Sequence, residues 1–307
     1  MDKNLKGTEI LNYFPFNIRK LFDFLDNSIW SEITNIRMNC NGPLMIELGA
    51  QRRYLSHHGV LNTPDGAYNI SRKDINAIFE MITASSVYTY SRYINNGFIT
   101  LSGANRVGLV GNCTVENDKI KSVNEIYSLN FRISHEKPGI AEPLLDFIYK
   151  DKTFKNTLII SPPGCGKTTL LRDIARIIGS DNKKTDTGIC AVIDERYELA
   201  CSVGGKSQLD IGTNNILMSG CPKHIAVPIV VRSMCPDVIV VDEMCSHEDY
   251  KSALFAKQSG CAIIASVHGK DENINELTSL NGVNFFETVI VLSKRKGVGT
   301  IEKILGG

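Results

Sequence analysis

Ser161-Pro-Pro-Gly164-Cys-Gly166-Lys167-Thr168-Thr169 is a stretch whose residue types could hold phosphate. It keeps the spacing G-x-x-x-x-G-K-[ST] except at its first position, where Ser161 replaces glycine. Gly164 and Gly166 permit backbone conformations that a side chain would block, so successive N–H groups can converge on phosphate oxygens. Lys167 can bring positive charge to β- and γ-phosphates, and the Thr168 hydroxyl can ligate Mg²⁺. Pro163, Cys165 and Thr169 complete the candidate nucleotide-binding loop. Upstream, Asn156–Ile160 reads as a buried strand; downstream, Leu170, Leu171, Ile174, Ala175, Ile177 and Ile178 have helical spacing, ending at Gly179. Strand, loop and helix start is the context that phosphate binding needs. The competing reading is a Gly-Pro-rich turn of similar spelling, but Gly-Lys-Thr-Thr in register behind a strand weighs against it. Ser161 ends the strand and leaves the phosphate-facing positions intact, so it reads as a tolerated variant.

Acids supply the second signal. Val238-Ile-Val-Val-Asp242-Glu243 is an apolar run that releases two carboxylates at its C-terminal end, where ligands bind in parallel sheets. Asp242 is suited to orient Mg²⁺ through its water shell, and Glu243 to polarise an attacking water. Ala191-Val-Ile-Asp194-Glu195-Arg196 repeats the pattern. Glu195 therefore rivals Glu243 for the water, and Arg196 could reach a γ-phosphate in its own or a neighbouring subunit. Asp194 and Arg196 could instead pair with each other on the surface. A further run, Cys261-Ala-Ile-Ile-Ala-Ser266-Val-His268, would bring Ser266 and His268 to the same rim. A lone histidine after a strand is more often structural than catalytic.

The elements that must position these groups form two textures, divided near residues 137 and 138. Residues 1–137 read as an α+β domain with helices against a mostly antiparallel sheet. A helical pattern runs through Ile18, Leu21, Phe22, Leu25 and Ile29, and Ser71 with Asp74 spells a capping box for a second helix. Residues 138–307 alternate short Val/Ile-rich strands with helices, the pattern of a RecA-like α/β domain with a parallel-rich sheet. Ser293 to Leu305, with Gly297 and Gly299 midway, suggests a hairpin on the sheet edge.

Composition narrows the classes. With 43% hydrophobic and 22% charged residues the chain has globular texture. Lys and Arg number 34 against 33 Asp and Glu, so no nucleic-acid partner is expected. The start, MDKNLKGTEILNYF, lacks the apolar core of a secretory signal, and no apolar stretch reaches membrane-spanning length. Nine cysteines without C-x-x-C spacing read as reduced thiols.

The order of phosphate loop, acid-arginine strand end, Asp-Glu strand end and Ser-x-His strand end resembles the secretion ATPases of type II and type IV systems. Their Walker A, Asp-box, Walker B and His-box occur in that order. Asp194-Glu-Arg196, Asp210-Ile-Gly212, Gly220-Cys-Pro222 and Arg232-Ser-Met234 before Val-Ile-Val-Val-Asp-Glu are closer still to the stage III sporulation protein AA family. Ile99-Thr-Leu-Ser-Gly103 and Arg106-Val-Gly108 also fit it, and the resemblance covers nearly the whole chain. It implies an ATP- and Mg-dependent hydrolase in the mother cell of an endospore-forming bacterium. That enzyme would be cytoplasmic and peripheral to a membrane complex, assembled as a homohexamer, and would power a secretion-like channel to the forespore with membrane-embedded sporulation proteins as partners. The resemblance strengthens Arg196 and His268 as site residues. Strand-end arginines such as Arg196 and Arg232 could also serve a neighbouring subunit. Two other readings stay open: a nucleotide-gated assembly module with little turnover, and a nucleic-acid-dependent RecA-like ATPase.

Overall fold

Short Val/Ile strands without polar alternation need cover on both faces, and the second half of the chain provides it. In the computed structural model, residues 8–84, 97–116, 119–180, 188–202, 205–269, 277–280 and 283–306 are described. The chain divides into two compact units, Met1–His135 and Glu136–Gly307.

In the first unit, β1 (Ile33–Asn39), β2 (Met45–Leu48), β3 (Gln51–Ser56), β4 (Gly59–Leu61), β5 (Phe98–Thr100), β6 (Arg106–Glu116) and β7 (Lys119–Arg132) form one sheet. Its order is β4-β3-β2-β1-β7-β6-β5, and every pairing is antiparallel. Helix α1 (Arg72–Thr83) starts at the expected capping box, in which Ser71 and Asp74 satisfy each other's backbone N–H. It buries Ile75, Ile78 and Ile82 beside Phe14, Phe22, Trp30 and Phe131. The single helix expected through Ile18 to Ile29 is broken. Phe16–Arg19 is α-helical, Lys20–Phe24 is a 3₁₀ turn, and Leu25 is extended. Asp26 then caps a separate helix, Asn27–Glu32, by accepting from the Ile29 N–H at 2.9 Å. The apolar spacing survives the break because both pieces face the same core.

The second unit contains β8 (Thr157–Ser161), α2 (Lys167–Ile178), β9 (Cys190–Asp194), β10 (Ile216–Ser219), α3 (Lys223–Met234), β11 (Val238–Val241), α4 (His247–Gln258), β12 (Ala262–His268), β13 (Thr288–Ser293) and β14 (Thr300–Gly306). The sheet order is β10-β9-β11-β12-β8-β13-β14. All neighbours are parallel except the β13–β14 hairpin at one edge. Side chains of α2 join Ile159, Val192, Val240 and Ile264 on one face. Side chains of α3 and α4 join Ile160, Ile193, Ile239 and Ile263 on the other. Each such Leu, Ile or Val contributes about 1.5–3 kcal/mol by leaving water. This is an α/β fold, and its parallel strands deliver their C-terminal residues to one rim. There Ser161 pairs with His268, Val241 with Ala265 and Ile193 with Val241.

Candidate functional site

The Ser161–Thr169 loop leaves β8 at that rim and turns into α2. Gly164 and Gly166 take φ of 71° and 90°, in the left-handed region that favours glycine. Gly166 is the N-cap of α2, and no side chain caps this start. In contrast, α1 and α4 both begin with capping boxes. The first-turn N–H groups of α2 are thus available to an anion. Pro163 and Gly164 are exposed, Cys165 is buried, and Thr168 and Thr169 are half-buried in the first helical turn. Ser161 is fully buried and donates its hydroxyl to the Pro162 carbonyl at 2.9 Å.

Lys167 is 5% exposed. Its ammonium donates to the Ser161 carbonyl at 3.2 Å and to His268 Nδ1 at 2.9 Å. Burial pushes the Lys167 pKa down, and the Asp242 and Glu243 carboxylates pull against that shift. Because an ammonium can only donate, His268 Nδ1 must accept, leaving the ring proton on Nε2. That Nε2–H donates to Glu243 Oε1 at 2.7 Å. The other Glu243 oxygen is bonded to Arg196 Nη1. A continuous chain, Lys167–His268–Glu243–Arg196, therefore crosses the rim from the loop to the end of β9.

Asp242 lies beside this chain. Its Oδ2 accepts from the Thr168 hydroxyl at 2.7 Å, and its Oδ1 accepts from the Ser266 hydroxyl. The Ser266 oxygen also receives the Glu243 N–H at 3.1 Å, joining the ends of β11 and β12. Glu243 has φ of 48°, which costs a residue other than glycine about 1–2 kcal/mol. The strained backbone holds its side chain between His268 and Arg196. Thr168 and Asp242 present oxygens alone, a donor set that suits Mg²⁺, which takes one or two protein ligands and completes its shell with water and phosphate.

The end of β9 is built differently. Asp194 is 2% exposed and accepts from the N–H groups of Glu198, Leu199 and Ala200 at 2.7, 3.1 and 2.8 Å. Arg172 of α2 donates to the carbonyls of Leu199 and Glu198 at 2.6 and 2.8 Å. The Asp194–Arg196 surface pair weighed from sequence does not form; Asp194 holds its own loop while Arg196 reaches Glu243. Glu195 bonds Lys223 at 2.5 Å, from the first turn of α3. Glu195, Arg196, Lys223, Asp242 and Glu243 line one crevice.

Arg232 is not at this rim. It occupies the last turn of α3, just before β11 begins, so the helix carries it toward the opposite, N-terminal end of the strands. Its guanidinium lies 5.3 Å from the centre of the Phe255 ring. Lys223 and Arg172 lay outside the sequence-based set. Lys223 follows Pro222 at a helix start, a position that gives no sign of its contact with Glu195. Arg172 sits among apolar helix positions, and that burial was the available signal.

Residues 4–306 match the family described as Sporulation stage III, protein AA. Stage III sporulation protein AA of Bacillus subtilis (strain 168) is 33% identical over 300 residues, covering 96% of this chain and 94% of that protein. Uncharacterized protein ycf45 of Cyanidium caldarium is 26% identical over 149 residues, or 48% of this chain and 42% of its own. Among solved structures, the ATPase DotB of Legionella pneumophila aligns with a TM-score of 0.58 at 14% identity, covering 95% of this chain and 77% of that one. The pilus retraction motor PilT, solved with ADP, aligns with a TM-score of 0.53 at 13% identity, covering 90% and 76%. At such identities the structural likeness shows a shared fold. The family match and the Bacillus relative both span nearly the whole chain, and the chain belongs to the stage III sporulation protein AA family.

Proposed function

We propose that this chain is a Mg-dependent ATPase that powers a secretion-like channel between mother cell and forespore during endospore formation. The observation that carries the reading is the joining of Lys167, His268, Glu243 and Arg196 at one rim, with Thr168 and Asp242 hydrogen-bonded beside them. The loop N–H groups and Lys167 bind the β- and γ-phosphates, with Pro163, Gly164, Cys165, Gly166, Thr168 and Thr169 forming the cradle. Mg²⁺ bound with the nucleotide neutralises charge on the phosphate oxygens. Thr168 would hold that ion directly, and Asp242 would hold it through its water shell. The arriving phosphate competes with His268 for Lys167 and with Glu243 for Arg196. A Glu243 oxygen freed in this way accepts a proton from the attacking water. His268, hydrogen-bonded to both Lys167 and Glu243, thereby couples loading of the loop to the freeing of Glu243. Glu195 is the less suited base, because Lys223 neutralises it at 2.5 Å.

A homohexamer with cyclic symmetry fits this design, since an arginine donated between neighbours can raise phosphoryl-transfer rates about 10³–10⁵-fold. Membrane-embedded sporulation proteins would receive the work, with the ATPase peripheral on the mother-cell side. Among the described residues no helix is long and apolar enough to cross a membrane. The engagement of both Glu243 oxygens also favours a second reading, a nucleotide-gated assembly module with little turnover.

Phosphate release with Mg-ATP tests both. The wild-type chain should hydrolyse ATP, with specific activity rising with protein concentration, and Lys167→Ala should lose turnover by at least about 10²-fold. Mixing Lys167→Ala with wild-type subunits should depress activity more than dilution does. Mg-ATP binding without turnover, alone or with lipid and channel proteins, would favour the gated module. Stimulation by DNA or RNA would favour a nucleic-acid-dependent ATPase. Unaltered turnover in Lys167→Ala would remove the loop from the mechanism.

A further inference from the structure

The turn that joins β13 to β14 lies against the Ser161–Thr169 loop. The Gly299 N–H donates to the Cys165 carbonyl at 3.1 Å. A Cβ placed on Gly166 would stand 3.4 Å from Val298 Cγ1, and one placed on Gly164 would stand 2.9 Å from Lys294 Nζ. Two side chains of the turn thus sit beside the two glycines of the loop. The turn itself is internally braced. Arg295 pairs with Glu302 at 2.7 Å, the Arg295 N–H donates to the Ser293 hydroxyl at 3.0 Å, and the Lys296 N–H donates to the Thr300 hydroxyl at 3.2 Å.

The basic run Lys294-Arg295-Lys296 therefore has an uneven fate. Arg295 is neutralised by Glu302, whereas Lys294 has no ion-pair partner among the described residues. An unneutralised ammonium next to a loop with uncapped N–H groups adds charge where an anion would already be favoured. Val298 is 70% exposed, an apolar side chain at the edge of the same loop. Phosphate for the lysine and a base face or ribose C–H edge for the valine are chemistries that a nucleotide combines.

We propose that the Lys294–Gly299 turn is a nucleotide clamp acting within its own subunit. Lys294 is a second phosphate-binding cation beside Lys167, and Val298 is a contact for the nucleoside. The inference rests on the nucleotide reading above and adds a cation and a specificity contact from the far end of the sequence.

Equilibrium binding of Mg-ATP and of Mg-tripolyphosphate to the full-length chain tests it. Lys294→Ala should weaken both probes about tenfold, the scale of one charge-assisted phosphate contact, and Lys294→Arg should restore most of the loss. Val298→Ala should weaken ATP about threefold and leave tripolyphosphate unchanged, on the scale of the two methyl groups removed from a partly exposed contact. ATP affinity in Lys294→Ala within about twofold of wild type overturns the clamp while leaving the nucleotide reading intact. An equal loss in Lys294→Arg and Lys294→Ala overturns it as well, because the charge would then be irrelevant. If the wild-type chain binds neither probe, the clamp and the nucleotide reading fall together.

Discussion

Two neighbouring strands end in nearly the same spelling, Ile193-Asp194-Glu195 on β9 and Val241-Asp242-Glu243 on β11, with Ile193 and Val241 paired across the ladder. Their acids meet different partners. Asp194 is buried and collects three backbone N–H groups of its own loop, while Asp242 faces the hydroxyls of Thr168 and Ser266. Among the described residues Glu195 meets Lys223, whereas Glu243 lies between His268 and Arg196. Position in the sheet makes the difference. β11 borders β12, which supplies Ser266 and His268, and the start of α2 reaches Asp242 through Thr168. β9 borders the edge strand β10, and the chain beyond that strand supplies Lys223. In the proposed reading the Asp242–Glu243 pair meets the nucleotide, while Asp194 holds its loop and Glu195 pairs with Lys223.

The largest effects should come from exchanging the two aspartates for asparagine. Asp242→Asn should lower turnover about 10²–10³-fold, the scale for losing a positioned electrostatic group, while shifting stability by less than about 1 kcal/mol. Asp194→Asn should do the reverse, costing about 3 kcal/mol in urea unfolding, because a buried carboxylate that serves three donors is replaced by a group that also donates. Equal behaviour of the two variants in unfolding and phosphate release would erase the distinction between the strand ends.

A smaller effect is expected one residue along. Glu195→Gln leaves the buried Lys223 ammonium without its counter-charge and should cost about 1–3 kcal/mol of stability, with turnover changed only a few-fold. Pairing it with Lys223→Met should recover much of that stability. Collapse of turnover with ATP binding retained in Glu195→Gln would move water activation to β9.

The smallest effect extends the contrast to a carboxylate in the first unit. Burial alone would raise the Asp74 pKa. Hydrogen bonds from the Ser71 hydroxyl and N–H, from Asn17 and from Tyr68 outweigh that and hold it below its ordinary value. A depressed folded-state value adds stability above the pH at which unfolded aspartates titrate, about 3.9, and that stability is lost as pH falls through the folded value. Asp74→Asn should therefore be destabilised by about 1 kcal/mol at pH 7, with the gap to wild type narrowing as pH falls below about 3.9, as read by denaturant unfolding. A constant difference across that range would remove the ionised cap from the account.

Local signals carried much of this structure. The strand before Ser161, the helix after it, the Ser71–Asp74 box and the Ser293–Leu305 hairpin each combine spacing with a cap or turn residue, and those are properties of adjacent residues. The break at Leu25 was less legible, because Asp26 starts a new helix without disturbing the apolar spacing. Arg232 looked close to the rim because it precedes the Asp-Glu strand by few residues, yet the direction of α3 carries it toward the N-terminal end of the strands. The partners of Glu195 and Glu243 depend on which strands become neighbours, and no local pattern encodes that order. Composition likewise gave no hint that the last hairpin would meet the loop after β8.

Glu243, set between His268 and Arg196, is proposed to activate water for a nucleotide held by the Ser161–Thr169 loop. Mg-ATP affinity and single-turnover phosphate release measured side by side for wild type and Glu243→Gln test it most directly. Affinity within a few-fold of wild type, with release slowed at least about 10²-fold, is the predicted result. Release at the wild-type rate in Glu243→Gln, or a wild-type chain that binds no Mg-ATP, would contradict it.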